Sequence, residues 1–325
     1  MRRRVVASVA IVAGLWSVTS LAPVAAQDWP TRTVRVIVPF SAGSATDIVP
    51  RIIFEQVQAQ TGQTFVIENR PGAGFTIGVG AVKSAPPDGY TLLVHSNAFV
   101  TSPAIQSVNW DPVKDFSGVT PLANVPMVLV ISPDKKIDTV KQLVDLAKAK
   151  PGSLNYAAAG IGSPPHLTME RFRIAAGFTG QLVPFKGAPE ALTEVATGRV
   201  DVYFSPLAPA LSLIQSGQLK PLAVSSLTRA AALPNVATTT EAGFKDSEFD
   251  FYVGLYVAKQ TPRAVVARIH AEVVKALNTP SVKEKLTNIG AEPLIVEAET
   301  FDARIAKEAP LAETLAKAAG IEKQQ

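Results

Sequence analysis

The residues best able to do chemistry in this sequence sit in short loops of small residues at the ends of apolar runs. In PFSAGSATDIVPRI (39–52), Ser41, Ala42, Gly43, Ser44, Ala45 and Thr46 separate an apolar run from an amphipathic one, and none of them is a cation. Backbone N–H groups in such a loop can approach a ligand closely, and the dipole of the following helix adds partial positive charge. Pro50 has no N–H and is harmless only near a helix start, so it favours Asp47 as the N-cap with Pro50 at the third helical position. The loop then suits an anion; the alternative is a merely tight strand-to-helix turn.

Four further run ends carry polar groups. YAAAGIGSPPHL (156–167) repeats the design, with Gly160 and Gly162 in the loop, Ser163 as cap, Pro164 at N1, and His166 as a ligand contact or a cap and packing residue. VPFKGAPEAL (183–192) sets Lys186 beside Gly187, where the ammonium can meet a ligand carboxylate or simply be solvated. GRVDVYFSP holds Asp201 inside an apolar run and Ser205 at its end, and an acid so placed needs a partner, either in a cleft or from backbone. LLVHSNAF offers Ser96 and Asn97, with His95 one residue too early to face a cleft.

Catalytic patterns are weak. RPGAGFTIGVG spaces its glycines one residue too long for a dinucleotide fingerprint and reads as a turn into a small helix. There is no G-x-S-x-G, no Walker loop and no paired histidine motif, so no cofactor or metal is implied. Ser163 or Ser96 with His166 and Asp201 could form a triad on paper, but no nucleophile elbow supports it.

The elements that must position these loops alternate. Nine strand-like runs (34–39, 64–68, 91–95, 127–132, 154–158, 181–184, 201–204, 219–225 and 252–258) are interleaved with helical stretches, the pattern of an α/β protein with largely parallel sheets. Nine strands favour two sheets. Asp138 heralds one packing helix and Thr261-Pro262 another, while Ile48, Ile52, Ile53 and Val57 form the buried stripe of the first. The expected division is residues 27–125 plus 250–325 as one discontinuous lobe and 126–249 as the other, with crossings near 122–128 and 241–253. Ligands of open α/β sheets lie beyond the carboxyl ends of the strands, here in the cleft between lobes.

The N-terminus reads as a secretory signal: MRRR, an uncharged stretch from Val5 to Leu21, then APVAA before Gln27, with cleavage expected after Ala26. Removing residues 1–26 takes away three arginines and no acid, so the formal charge falls from +4 to +1. No basic run remains to attract nucleic acid. The chain has no cysteine, which excludes disulfides and thiol nucleophiles and leaves stability to core burial.

The mature chain resembles the Bug-type periplasmic solute receptors, the substrate-binding proteins of tripartite tricarboxylate transporters. The likeness runs through WPTRTVRVIVPFSAGSATDIVPR, VIENRPGAG, APPDGYTLLV, WDPVKDFSGVTPLA, AKAKPGSLNYAAAGIGSPPHL, VPFKGAPEALTEVATGRVDVYF, LPNVATTTEAG and GLYVAKQTPRAVVARIHAEVVKAL, covering residues 28–320. The resemblance implies a two-lobed, type II periplasmic-binding fold, a monomer that closes on a small mono- or dicarboxylate and delivers it to membrane permease subunits. It implies ligand contacts from Phe40 to Asp47, from Ser96 and Asn97, from Gly160 to Ser163 with His166, from Phe185 to Gly187, and from Asp201 with Ser205. Pro50 and Pro164-Pro165 depart from the usual family pattern. A receptor that signals to a sensor kinase and a secreted serine-type hydrolase are the alternatives.

Overall fold

The computed structural model describes residues 29–318 and residue 323. The expected signal segment and cleavage point lie outside the described residues.

Among the described residues, eleven strands form two sheets. The first contains β1 (Val34–Val38), β2 (Phe65–Asn69), β3 (Thr91–Ser96), β4 (Phe116–Asn124), β10 (Tyr252–Ala258) and β11 (Glu292–Pro293), in the order β11-β4-β10-β3-β1-β2. The second contains β5 (Met127–Ile131), β6 (Leu154–Ala158), β7 (Gly180–Pro184), β8 (Val202–Pro206) and β9 (Lys220–Val224), in the order β7-β6-β8-β5-β9. The helices between and after them are α1 (Ala45–Thr61), α2 (Thr76–Lys83), α3 (Ala98–Ile105), α4 (Val140–Ala149), α5 (Pro164–Ala176), α6 (Ala188–Ala196), α7 (Leu207–Gln215), α8 (Arg263–Leu277), α9 (Pro280–Asn288) and α10 (Ala298–Ala318).

The sheets are mixed rather than largely parallel. β1 pairs in parallel with β2 and β3, but β10 runs antiparallel to β3 and β4; β5 likewise runs antiparallel to β8 and β9. These reversed strands follow the two places where the chain changes sheet. One passage runs from β4 through Val125-Pro126 into β5, the other returns after β9 into β10, and the Val125 N–H donates to the Phe251 carbonyl at 2.9 Å. Two adjacent, hydrogen-bonded crossings therefore join the halves.

Burial explains which runs became central strands. All five residues of β5 (MVLVI) are buried, as expected for a strand covered on both faces. Each fully buried Val, Leu or Ile contributes about 1.5–3 kcal/mol. β7, at the edge, keeps an exposed and intermediate pattern. Two expectations about helices, one start and one buried face, are corrected. Thr139, not Asp138, caps α4, because its hydroxyl accepts from the Gln142 N–H while Gln142 Oε1 reaches back to the Thr139 N–H. In α1 the buried face is Val49, Pro50, Ile53, Phe54 and Val57, with Ile48 and Ile52 only half-buried.

Candidate functional site

The carboxyl ends of β1, β2 and β3 in one sheet, and of β6, β7 and β8 in the other, carry the loops in question. The first loop differs from its sequence reading in one respect. Helix α1 begins at Ala45, and the cap is Ser44, extended at φ −75 and ψ 163, whose carbonyl accepts from Asp47 and Ile48. Asp47 is the third helical residue and Pro50 the sixth, so α1 tolerates a proline inside it. The missing N–H at Pro50 costs one intrahelical bond near the helix end, and burial of the proline ring against the core offsets part of that loss.

Asp47 is nonetheless busy. Its carboxylate accepts from the Gly43 N–H (2.8 Å), Asn69 Nδ2 (2.9 Å) and Arg51 Nε (2.9 Å), and it is buried. It thus folds the loop back onto the helix end and ties it to the end of β2. Ser44 Oγ and Thr46 Oγ1 lie 3.0 Å apart, both buried with Ala45, and Phe40 is buried behind them. Of this loop only Ser41, Ala42 and Gly43 are not buried, and Ser41 and Gly43 lie against the other lobe at Lys186 and Pro189.

The second loop is held from beneath. Ser163 caps α5 by position, but its hydroxyl donates to the Gly160 carbonyl (2.6 Å) instead of accepting from the helix. His166 Nδ1 accepts the Gly162 N–H at 3.1 Å, and the ring is buried. His166 therefore has the cap and packing role, and burial pushes its pKa down, keeping it neutral and able to accept. Below it, Glu170 accepts from Tyr156 Oη (2.6 Å) and Arg173 Nε (2.6 Å). Burial pushes the Glu170 carboxyl up, but the bonds from Arg173 and Tyr156 and the Arg173 charge together bring it below its ordinary value. This network fixes α5 to β6 and so holds the Gly160–Ser163 turn.

Phe185 follows β7 with its N–H on the Ala158 carbonyl (2.8 Å), Lys186 is exposed, and Gly187 is the N-cap of α6. Ser96 Oγ, fully buried, accepts from the Ala98 N–H (3.3 Å). Asn97 Nδ2 donates to the Asp250 carbonyl (2.9 Å), leaving Asn97 Oδ1 buried without a protein partner. Ser205, also fully buried, donates to the Pro206 carbonyl (2.9 Å). Asp201 is corrected: it precedes β8, at the end of the strand away from the cleft, where it pairs with Lys135 and accepts from the Asn155 N–H (2.8 Å). Its partner is a lysine on the same lobe, not a ligand.

The lobes meet directly. Ser41 Oγ donates to the Lys186 carbonyl at 3.1 Å, and a Cβ on Gly187 would fall 2.8 Å from both Cβ and Oγ of Ser41. Beside this contact a cavity of about 790 Å³ opens between the lobes, within the range of ligand pockets. Gly160, Ile161, Phe185 and Lys186 line it, together with residues the sequence reading passed over: Pro71 to Thr76 after β2, Gln106 and Ser107 after α3, and Ala159. The available signal was parallel pairing: β2 runs with β1, so the turn after β2 must open on the same edge as the loop after β1.

Residues 49–321 match the model of the tripartite tricarboxylate transporter family receptor. The chain belongs to this receptor family. Among curated relatives, protein BugT of Bordetella pertussis is 31% identical over 290 residues, covering 88% of this chain and 89% of BugT. Among solved structures, the periplasmic binding protein BugD is similar at 32% identity and TM-score 0.87, over 91% of this chain and 100% of that one. The Rhodopseudomonas palustris protein Rpa4515, solved with adipate, is similar at 31% identity and TM-score 0.87, over 91% and 99%. The two-sheet architecture is accordingly that of a two-lobed periplasmic-binding fold, and the Bug-type receptor is a solute-binding protein. Among the described residues no helix is long and apolar enough to cross a membrane.

Proposed function

We propose that this receptor binds a small carboxylate between its lobes, closes on it without a chemical step, and delivers it to the permease subunits of a tripartite tricarboxylate transporter. The observation that carries this reading is the meeting of small-residue loops from both lobes beside Lys186, at the cavity's edge. Ser41-Ala42 and Gly160-Ile161 supply backbone N–H groups, those of Gly43, Gly162 and Ser163 being used within their own loops, and Lys186 supplies a mobile cation. Such a set holds an anion reversibly, as a receptor must. The similar structure with adipate supports a carboxylate ligand.

A thermal-shift screen tests it. A carboxylate at a hundred times its Kd adds about 2.7 kcal/mol, or several degrees in Tm. Carboxylates should raise Tm while matched neutral amides do not; a shift with amides or sugars and none with acids would refute the reading. Loss of uptake of the bound acid on permease deletion tests delivery.

A further inference from the structure

The cavity between the lobes is chemically lopsided. Among the described residues that line it, Lys186 alone is charged, and the nearby Glu190 carboxylate meets the Lys186 backbone N–H (3.2 Å) rather than its ammonium. Much of the remaining wall is apolar: Phe75 comes from lobe 1, while Ile161 and Phe185 come from lobe 2.

Phe75 is held in this wall at a conformational cost. Its φ is +75, a left-handed backbone rare for a bulky residue, and it follows Ala73 at +45 and Gly74 at +57. The turn is pinned by Gln106, whose Nε2 donates to the Gly74 carbonyl at 3.2 Å. The ring is backed by Phe40, with centroids 4.7 Å apart, and by His95 at 4.9 Å. Strain that persists at a cleft under support from two rings points to recognition.

We infer that the ligand is a monocarboxylate with an apolar body, its one charge at Lys186 and its aryl or alkyl part between Phe75 and Phe185. This rests on the carboxylate reading above and narrows it. A second carboxylate, carried away from the loops at Lys186, would leave water for the wall of Phe75 and Phe185, which offers no second cation, and an ion taken out of water against such a wall loses more than an apolar group gains.

Titration calorimetry of the full chain at one pH and ionic strength, with benzoate, hexanoate, benzamide, adipate, malate and citrate, decides it. Benzoate or hexanoate should bind about tenfold or more tightly than each polyacid, and the ranking of the two separates aryl from alkyl bodies. Phe75→Ala and Phe185→Ala should each weaken the better monocarboxylate about tenfold or more. The second variant carries the test if the first does not fold, and unchanged affinity in a folded variant removes that ring from the proposal. If adipate, malate or citrate binds as tightly as the monocarboxylates, the apolar-body assignment falls while the carboxylate receptor stands. If benzamide equals benzoate, the carboxylate reading falls. If nothing in the panel binds, both fall.

Discussion

His95 shows how a single side chain near the cleft couples to acidity. It is fully buried among Phe40, Phe75 and Phe99, and burial, opposed by its bond to the Ser96 carbonyl, pushes its pKa down to about 3. The folded protein keeps the ring neutral, whereas the unfolded chain takes a proton at about pH 6.5. Between these values the unfolded state binds more protons, so the stability present above pH 6.5 is lost as pH falls toward 3. At pH 4.5 the loss from this one group is about 3 kcal/mol. Urea unfolding of wild type and His95→Leu at pH 7 and pH 4.5 checks this: the variant should lose less stability between the two. An equal loss would mean that His95 does not carry the effect. His166, also lowered by burial, acts in the same direction and is present in both proteins.

At the scale of elements, the loop into α6 sets how closely the lobes approach. Gly187 has an extended backbone (φ −176, ψ 176) that any residue can adopt, so its small size matters only against Ser41. Gly187→Ala should therefore leave the ligand-free Tm within about 1 °C, because the backbone is unstrained and the only close contact of the added methyl group is the Ser41 side chain of the other lobe, yet weaken ligand binding about tenfold by holding the lobes apart. Melting curves and calorimetry read the two effects separately; equal affinity would show that closure tolerates the methyl group.

The same scale shows what the sequence made legible. A run such as MVLVI announces a strand because both its faces are apolar, and nine largely apolar runs were legible as strands. The longest strand, β4, was not: FSGVTPLAN contains Gly118 and Pro121, which ordinarily break strands. Its pairing with β10 accommodates them through two register shifts, and Phe301 and Ile305 of α10 fill the space over Gly118. That is tertiary support with no local signature. The start of α1 was misplaced for a related reason, since a proline at the sixth position is unfavourable locally and acceptable only in the packed helix. The strand-end rule located the loops around Ser41, Gly160 and Lys186. It could not tell that Asp201 faces Lys135, a contact spanning 66 residues.

At the scale of the whole molecule, two crossings and one direct contact join the lobes, and the proposed closure turns on them. The crossings are tied by the Val125–Phe251 bond, and the contact is Ser41 against Lys186 and Gly187. Because the chain has no cysteine, a pair introduced by Ser41→Cys and Gly187→Cys would have no competitor. The close approach of these positions needs the lobes to relax by only about 1 Å to reach disulfide geometry. Oxidation of the double variant should yield an intramolecular bond, faster with a saturating ligand, followed by non-reducing electrophoresis or thiol counting. Ligand-independent kinetics would argue against closure on binding.

The lobes touch through Ser41 against Gly187 and the Lys186 backbone, whereas the strained turn around Phe75 and the ends at Gln106 and Ile161 shape the chamber beside that contact. Apart from Lys186, which belongs to both, grip and taste are thus written on different residues. A library confined to positions 71–76, 106–107 and 161 could retrain this scaffold for new analytes while its closing stroke, and any fluorescent reporter coupled to that stroke, stayed the same.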